Sequence, residues 1–192
     1  CFMVLLMNIL IHGYNVKDPM KTIGRLKQHL DDTRMFNYGW FGLTSVLLYN
    51  KREAKRLKVL LDANPNANVW AHSNGCAIAV EAARMGAKIG NLICINPALK
   101  VNTKFPESIK RIAVIHTEHD KPTKAARFFD KVPFIQLIIP NAWGAMGAKG
   151  AKDERAVNFD FTEFLKGHSE FFRPSKISQL LPVIKRWMKS PS

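Results

Sequence analysis

The sequence predicts an α/β fold: one domain with a mostly parallel sheet and helices on both of its faces. Two observations predict it. Short β-branched or apolar runs alternate along the chain with helical patterns, as repeated βαβ units require. A length of 192 residues also fits one hydrophobic core better than two.

The elements follow in order. Val4 to Ile11 reads as a buried strand. Asp18-Pro19 offers an N-cap and a proline at the first helical position, so a helix is expected to run to about Leu30. Arg34 to Tyr38 is a candidate second strand, closed by the glycine-punctuated turn Tyr38-Gly39-Trp40-Phe41-Gly42. A basic amphipathic helix spans about Ser45 to Asp62, with Ala54, Leu57 and Leu61 on one face, and Asn64-Pro65-Asn66 ends it. A very short strand, Asn68 to Ala71, runs straight into His72-Ser73-Asn74-Gly75. A helix from Gly75 to Met85 follows and stops at Gly86.

Leu92 to Ile95 is the next strand, closed by Asn96-Pro97. Ile112 to His116 is another, and it delivers Glu118, His119 and Asp120 at its C-terminal end. Thr123 to Lys131 has a helical pattern, and Phe134 to Ile139 fits either strand or helix. Asn141 to Ala151 is a Gly/Ala-rich loop carrying Trp143 and Met146. Ala156 to Phe161 alternates like a strand, and a last helix covers about Lys176 to Lys189. No repeat, linker or low-complexity segment marks a domain boundary.

Composition narrows the classes. The hydrophobic fraction of 47% is that of a globular protein and excludes a disordered chain. The three cysteines lack the spacing of a disulfide framework or a zinc site. Cys76 and Cys94 lie in apolar runs, which implies buried thiols in a reducing compartment, the cytoplasm. The apolar opening lacks the charged start and cleavage site of a secretory signal. It also ends at His12-Gly13, short of the roughly 20 residues of a membrane span.

The net charge of +14 suggests an anionic partner, substrate or surface. Its basic residues are spread along the chain and recur at Lys51, Arg52, Lys55, Arg56 and Lys58, where a solvated helix face accounts for them. Nothing resembles a nucleic-acid module, and aromatics do not alternate with the charges.

The segment Val69-Trp70-Ala71-His72-Ser73-Asn74-Gly75 places a serine between two small residues, at a strand-to-helix junction. That is the pattern of a nucleophile elbow, a turn so tight that its flanks must be small, which exposes the hydroxyl at the top of the sheet. The helix that begins there points its amides at the site, where negative charge would develop. A glycine more often stands where Ala71 does.

A serine hydroxyl needs a base to take its proton, and the base needs an acid to orient it and balance its charge. Behind an elbow of this kind the acid comes first in the chain and the histidine second. Ser73, Asp120 and His168 supply that order. Among the six histidines, His168 lies in a late loop after a strand. His12 sits in a turn where a structural role is expected, and His29 on a surface helix. His72 adjoins the nucleophile in sequence with its side chain directed elsewhere, His116 belongs to a strand, and His119 flanks the acid. Asp120 is preferred over Glu118 because it closes its turn just before Lys121-Pro122. His116, Glu118, His119 and Asp120 are metal-ligand types, but their spacing fits no established zinc signature.

Four stretches together resemble the α/β-hydrolase superfamily along nearly the whole chain. Ile9-Leu10-Ile11-His12-Gly13-Tyr14 resembles the strand and HG turn that carries half of the oxyanion hole. Ala71 to Gly75 resembles the elbow, and Ile112 to Pro122 the strand and turn of the acid. Gly167-His168-Ser169 resembles the late turn of the base. The resemblance implies oxyanion donors at the backbone N–H groups of Tyr14 and Asn74, and no cofactor or metal. It implies a minimal form without a cap domain, since about fifteen residues separate the strands ending near Ile95 and starting at Ile112.

The expected activity is cleavage of a small carboxylic ester through an acyl-enzyme, with the basic surface favouring an anionic substrate. Thioester hydrolysis or acyl transfer would use the same machinery, and a non-catalytic binding protein of the same fold is the contrasting class. Tyr14, Asn15, Trp40, Trp143 and Met146 are the candidates for lining the pocket, with plain packing an equal reading for the last two.

Overall fold

The computed structural model describes residues 6–14, 16–39, 43–123 and 144–190. Among them, six strands form one parallel sheet: β1 (Asn8–Ile11), β2 (Thr33–Phe36), β3 (Ala67–His72), β4 (Ile89–Ile95), β5 (Ile109–His116) and β6 (Ala156–Asp160). Their spatial order is β2-β1-β3-β4-β5-β6. The chain leaves β1 in one direction to make β2, then crosses back to place β3 on the other side. The strand order therefore reverses between β1 and β3, and the crevice above such a point is where open α/β sheets bind ligands.

Alternation along each strand assigns the two faces. Ile9, Ile11, Val69, Ala71, Leu92, Cys94, Ile112 and Val114 belong to one buried cluster, with residues of α1 (Leu43–Asp62) and α2 (Asn74–Arg84). Leu10, Trp70, Ile93, Ile95, Ala113 and Ile115 belong to the other, with Ile177, Leu180, Leu181 and Ile184 of the C-terminal helix (Pro174–Lys189). Helices cover both faces, so the central strands are apolar on both sides. The link from β4 to β5 is a short loop, 96–108.

Several elements depart from the sequence expectation for identifiable reasons. The strand expected from Val4 begins at Asn8, where its partner β2 begins opposite at Thr33; residues 1–5 lie outside the described residues. The helix expected after Asp18 is two 3₁₀ turns, Pro19–Lys21 and Ile23–Gln28. The Asp18 cap does form, accepting from Met20 N. Thr22 then leaves helical geometry at φ −121° and ψ −115°, and its hydroxyl donates to the Pro19 carbonyl, a local bond that competes with a helix ladder. The Gly/Ala-rich loop contains one helical turn, α3 (Met146–Lys149), closed at Gly150 with φ 75°. The C-terminal helix is α4. Most of the helix expected over Thr123 to Lys131, and all of Phe134 to Ile139, lies outside the described residues.

A polar row crosses the sheet near the N-terminal ends of its strands. Asn8, Asn68, Asn91 and Arg111 stand in register on β1, β3, β4 and β5. Asn8 Oδ1 accepts from Asn68 Nδ2 and from the indole N–H of Trp70, and Asn91 Nδ2 donates to Asn68 Oδ1. Arg111 stacks on Trp187 and donates to the last carbonyls of α4. Asn8→Ala should cost about 1–3 kcal/mol, because the buried Trp70 N–H loses its acceptor. A urea titration would show the lower midpoint, and an unchanged midpoint would refute the argument.

Candidate active site

Ser73 lies between β3 and α2, with φ 53° and ψ −120°. A non-glycine residue rarely adopts this conformation, which costs roughly 1–3 kcal/mol and persists where the surroundings enforce it. Here they do. The Ser73 N–H donates to the Ile95 carbonyl, and the Ser73 carbonyl accepts from Cys76 N and Ala98 N. The small flank at Gly75 is required by contact: a Cβ there would come within 2.6 Å of the His12 carbonyl oxygen. The first turn of α2 is thus pressed against the end of β1.

The turn after β1 touches Ser73. A Cβ on Gly13 would lie 3.0 Å from Ser73 Cβ and 2.8 Å from His72 Nδ1. His12 is fully buried, stacks on Tyr38 at 4.0 Å, and places Nδ1 2.8 Å from the Gly13 carbonyl. Its role is to hold this turn. The Asn74 side chain pairs reciprocally with the Asn50 amide on α1 at 3.0 Å, which fixes the residue after Ser73.

Asp120 and His168, 48 residues apart in sequence, are joined: Nδ1 lies 2.9 Å from each carboxylate oxygen. Asp120 is fully buried, and a buried carboxylate needs donors. It also accepts from Asn96 Nδ2 at 3.1 Å and Thr123 N at 3.1 Å. Asn96, at φ 45°, ends β4 beside the elbow, and its own N–H donates to Ile115. Gly147 leaves no room beside the acid, since a Cβ would lie 2.5 Å from Asp120 Oδ2. The Thr117 hydroxyl donates to the Leu165 carbonyl and ties the acid's turn to the segment leading to His168. Glu118 is exposed at the side of this cluster.

No hydrogen bond joins the Ser73 hydroxyl to the His168 ring in this structure. The observed link between the elbow and the His168 loop is His72, the residue before Ser73, whose ring lies 4.8 Å from that of His168. Contrary to the expectation that it points elsewhere, His72 faces the His168 loop. Catalytic hydrogen bonds are often long in unliganded sites and tighten with substrate.

Of the proposed pocket residues, Asn15, Trp40 and Trp143 lie outside the described residues. Tyr14 is half-buried after the HG turn. Met146 is fully buried in the core cluster that includes Leu99 and Phe105, which matches the packing reading and removes it from the pocket wall. No group of three or more His, Cys, Asp or Glu among the described residues is arranged to hold a metal. Sequence reasoning missed Asn96, Thr117 and Gly147. Asn96-Pro97 was visible only as the end of a strand, and nothing local links it to Asp120.

Burial also sets the charge of three histidines. It pushes His12, His72 and His116 below the ordinary value of 6.5, with nearby acids opposing the effect at His116. These rings take up protons at a lower pH in the folded chain than in the unfolded chain. Stability should therefore fall as pH drops from 7.5 to 5.5, by at most about 1.4 kcal/mol per pH unit for each ring. Urea midpoints at the two pH values would check this, and equal midpoints would contradict it.

The chain has the α/β-hydrolase fold. The esterase RhEst1 from Rhodococcus sp. ECU1013 superposes with a TM-score of 0.61 over 97% of this chain and 91% of that one, at 9% identity. XC6422 from Xanthomonas campestris, described as an α/β serine hydrolase without lid, matches with a TM-score of 0.54 over 100% and 87%, at 11% identity. An esterase domain from a Rhodothermus marinus protein matches with a TM-score of 0.53 over 95% and 85%, at 12% identity. At these identities the likeness speaks for the fold alone. No protein-family model and no curated protein matches the chain. No helix among the described residues is long and apolar enough to cross a membrane.

Proposed function

We propose that this protein is a serine hydrolase that cleaves a carboxylic ester through an acyl-enzyme. The carrying observation is the strained Ser73 at the strand-to-helix elbow, together with the joined Asp120–His168 pair, whose carboxylate is buried and whose ring packs on His72 next to Ser73. Ser73 Oγ attacks the ester carbonyl while His168 Nε2 takes its proton. Asp120 holds Nδ1–H and balances the imidazolium. The backbone N–H groups of Asn74 and Tyr14 stabilise the oxyanion. His168 then returns the proton to the leaving alcohol, and water repeats the sequence on the acyl-enzyme.

The esterases and the lidless serine hydrolase of the same fold support this reading. The short link between β4 and β5 fits an open cleft without a cap. A net charge of +14 favours an anionic ester, and the free, buried Cys76 and Cys94 suit a cytoplasmic setting. A fluorophosphonate probe tests the reading: the wild-type protein should be labelled at Ser73 and should turn over p-nitrophenyl esters. A protein that is neither labelled nor active on esters of any chain length would be a binding module of this fold.

A further inference from the structure

We propose that His72, the last residue of β3, is a positioning residue that holds the base-bearing loop against the nucleophile elbow. The inference rests on the serine-hydrolase reading above.

The geometry assigns its proton. His72 Nε2 lies 3.2 Å from the His168 carbonyl oxygen. A carbonyl can only accept, so Nε2 carries the hydrogen and donates. His72 Nδ1 is buried without a hydrogen-bond partner and faces Gly13. The ring is therefore a neutral Nε2–H tautomer, and its burial, followed by the nearby His168, keeps it from charging.

Its packing fixes its direction. The His72 ring is 2% exposed. It tilts against the His168 ring at 4.8 Å and meets Phe172 edge-on at 4.9 Å. His168 is thereby held at two points: Asp120 grips the side chain at Nδ1, and His72 grips the backbone at the carbonyl. With both fixed, Nε2 of His168 is left for the hydroxyl on the residue next to His72. The same peptide bond joins the grip and the nucleophile, so their spacing is set by covalent geometry.

The role predicts a defined kinetic signature. His72→Phe keeps a flat ring but cannot donate, and should lower kcat roughly 10–100-fold with KM within about twofold, as loss of alignment does. His72→Gln places an amide N–H near the Nε2 position and should restore kcat to within about threefold of wild type. Fluorophosphonate labelling of Ser73 should slow in the Phe variant and recover in the Gln variant. An unchanged kcat in His72→Phe, a loss confined to KM, or a Gln variant as slow as the Phe variant overturns the proposal.

Should His72→Phe fail to fold, the ¹⁵N spectrum of the wild-type rings decides. A protonated Nε2 and bare Nδ1 at His72 support the role, and the opposite tautomer ends it. A wild-type protein with neither labelling nor ester turnover defeats the underlying reading. Normal labelling with an unperturbed Phe variant defeats only this inference.

Discussion

Replacing Ser73 with Ala is expected to lower ester turnover by about 10⁴–10⁶-fold and to abolish phosphonate labelling, while leaving the fold intact. Groups that act as one unit lose their effect together, so His168→Ala should cost nearly as much, and the double variant little more than either alone. The residual rate would come from the backbone donors and from binding. Stability should hold or rise, because alanine removes a hydroxyl with no hydrogen bond to His168, and the strained φ of 53° is enforced by neighbours. Measuring kcat/KM for the two single variants and the double on one p-nitrophenyl ester checks the pattern. Multiplicative losses would show that the two side chains do not cooperate.

The second large effect concerns the acid. Asp120→Asn should reduce kcat by about 10⁴-fold, through the wrong histidine tautomer rather than through lost space. The amide matches the carboxylate in size, and the pocket formed by Asn96, Thr123 N and Gly147 has no slack. The same substitution makes the Asn96 Nδ2 donor face either an amide oxygen or a competing NH₂. Glu118→Gln, on the exposed neighbour, should leave the rate within about twofold. Equal losses in the two variants would move the acid away from 120.

The placement of the proposed site residues was legible in the sequence because they sit at places that local rules define. Ser73 follows a strand and opens a helix, Asp120 closes the turn after β5, and His168 follows β6. Strand alternation also gave both faces, since Trp70 and Val69 must point to opposite layers. The supporting contacts were not legible. Asn96 and Gly147 reach Asp120 from two other connections, Thr117 ties the acid's own turn to Leu165 in a third, and only the assembled sheet brings them together. His72 was misread because strand alternation says which face a side chain takes, not which later loop will cover that face. The segment after Asp18 was misread for a different reason. A good cap and Pro19 signal a start, but Thr22 diverts the backbone within one turn.

The asparagines and the arginine at the opposite end of the sheet bear on the proposed site, which they never touch. A strand is a ruler with about 3.3 Å between marks, and a slip by one mark also turns each side chain to the other layer. Asn8, Asn68 and Asn91 resist such a slip, because each finds its cross-strand partner at a single mark, and Arg111 pins β5 to the end of α4. Ser73 sits five marks beyond Asn68. Its alignment with the β1 turn and the acid is thus indexed from the far side of the molecule, and, on the proposed function, substitutions there should lower activity without altering a reacting group.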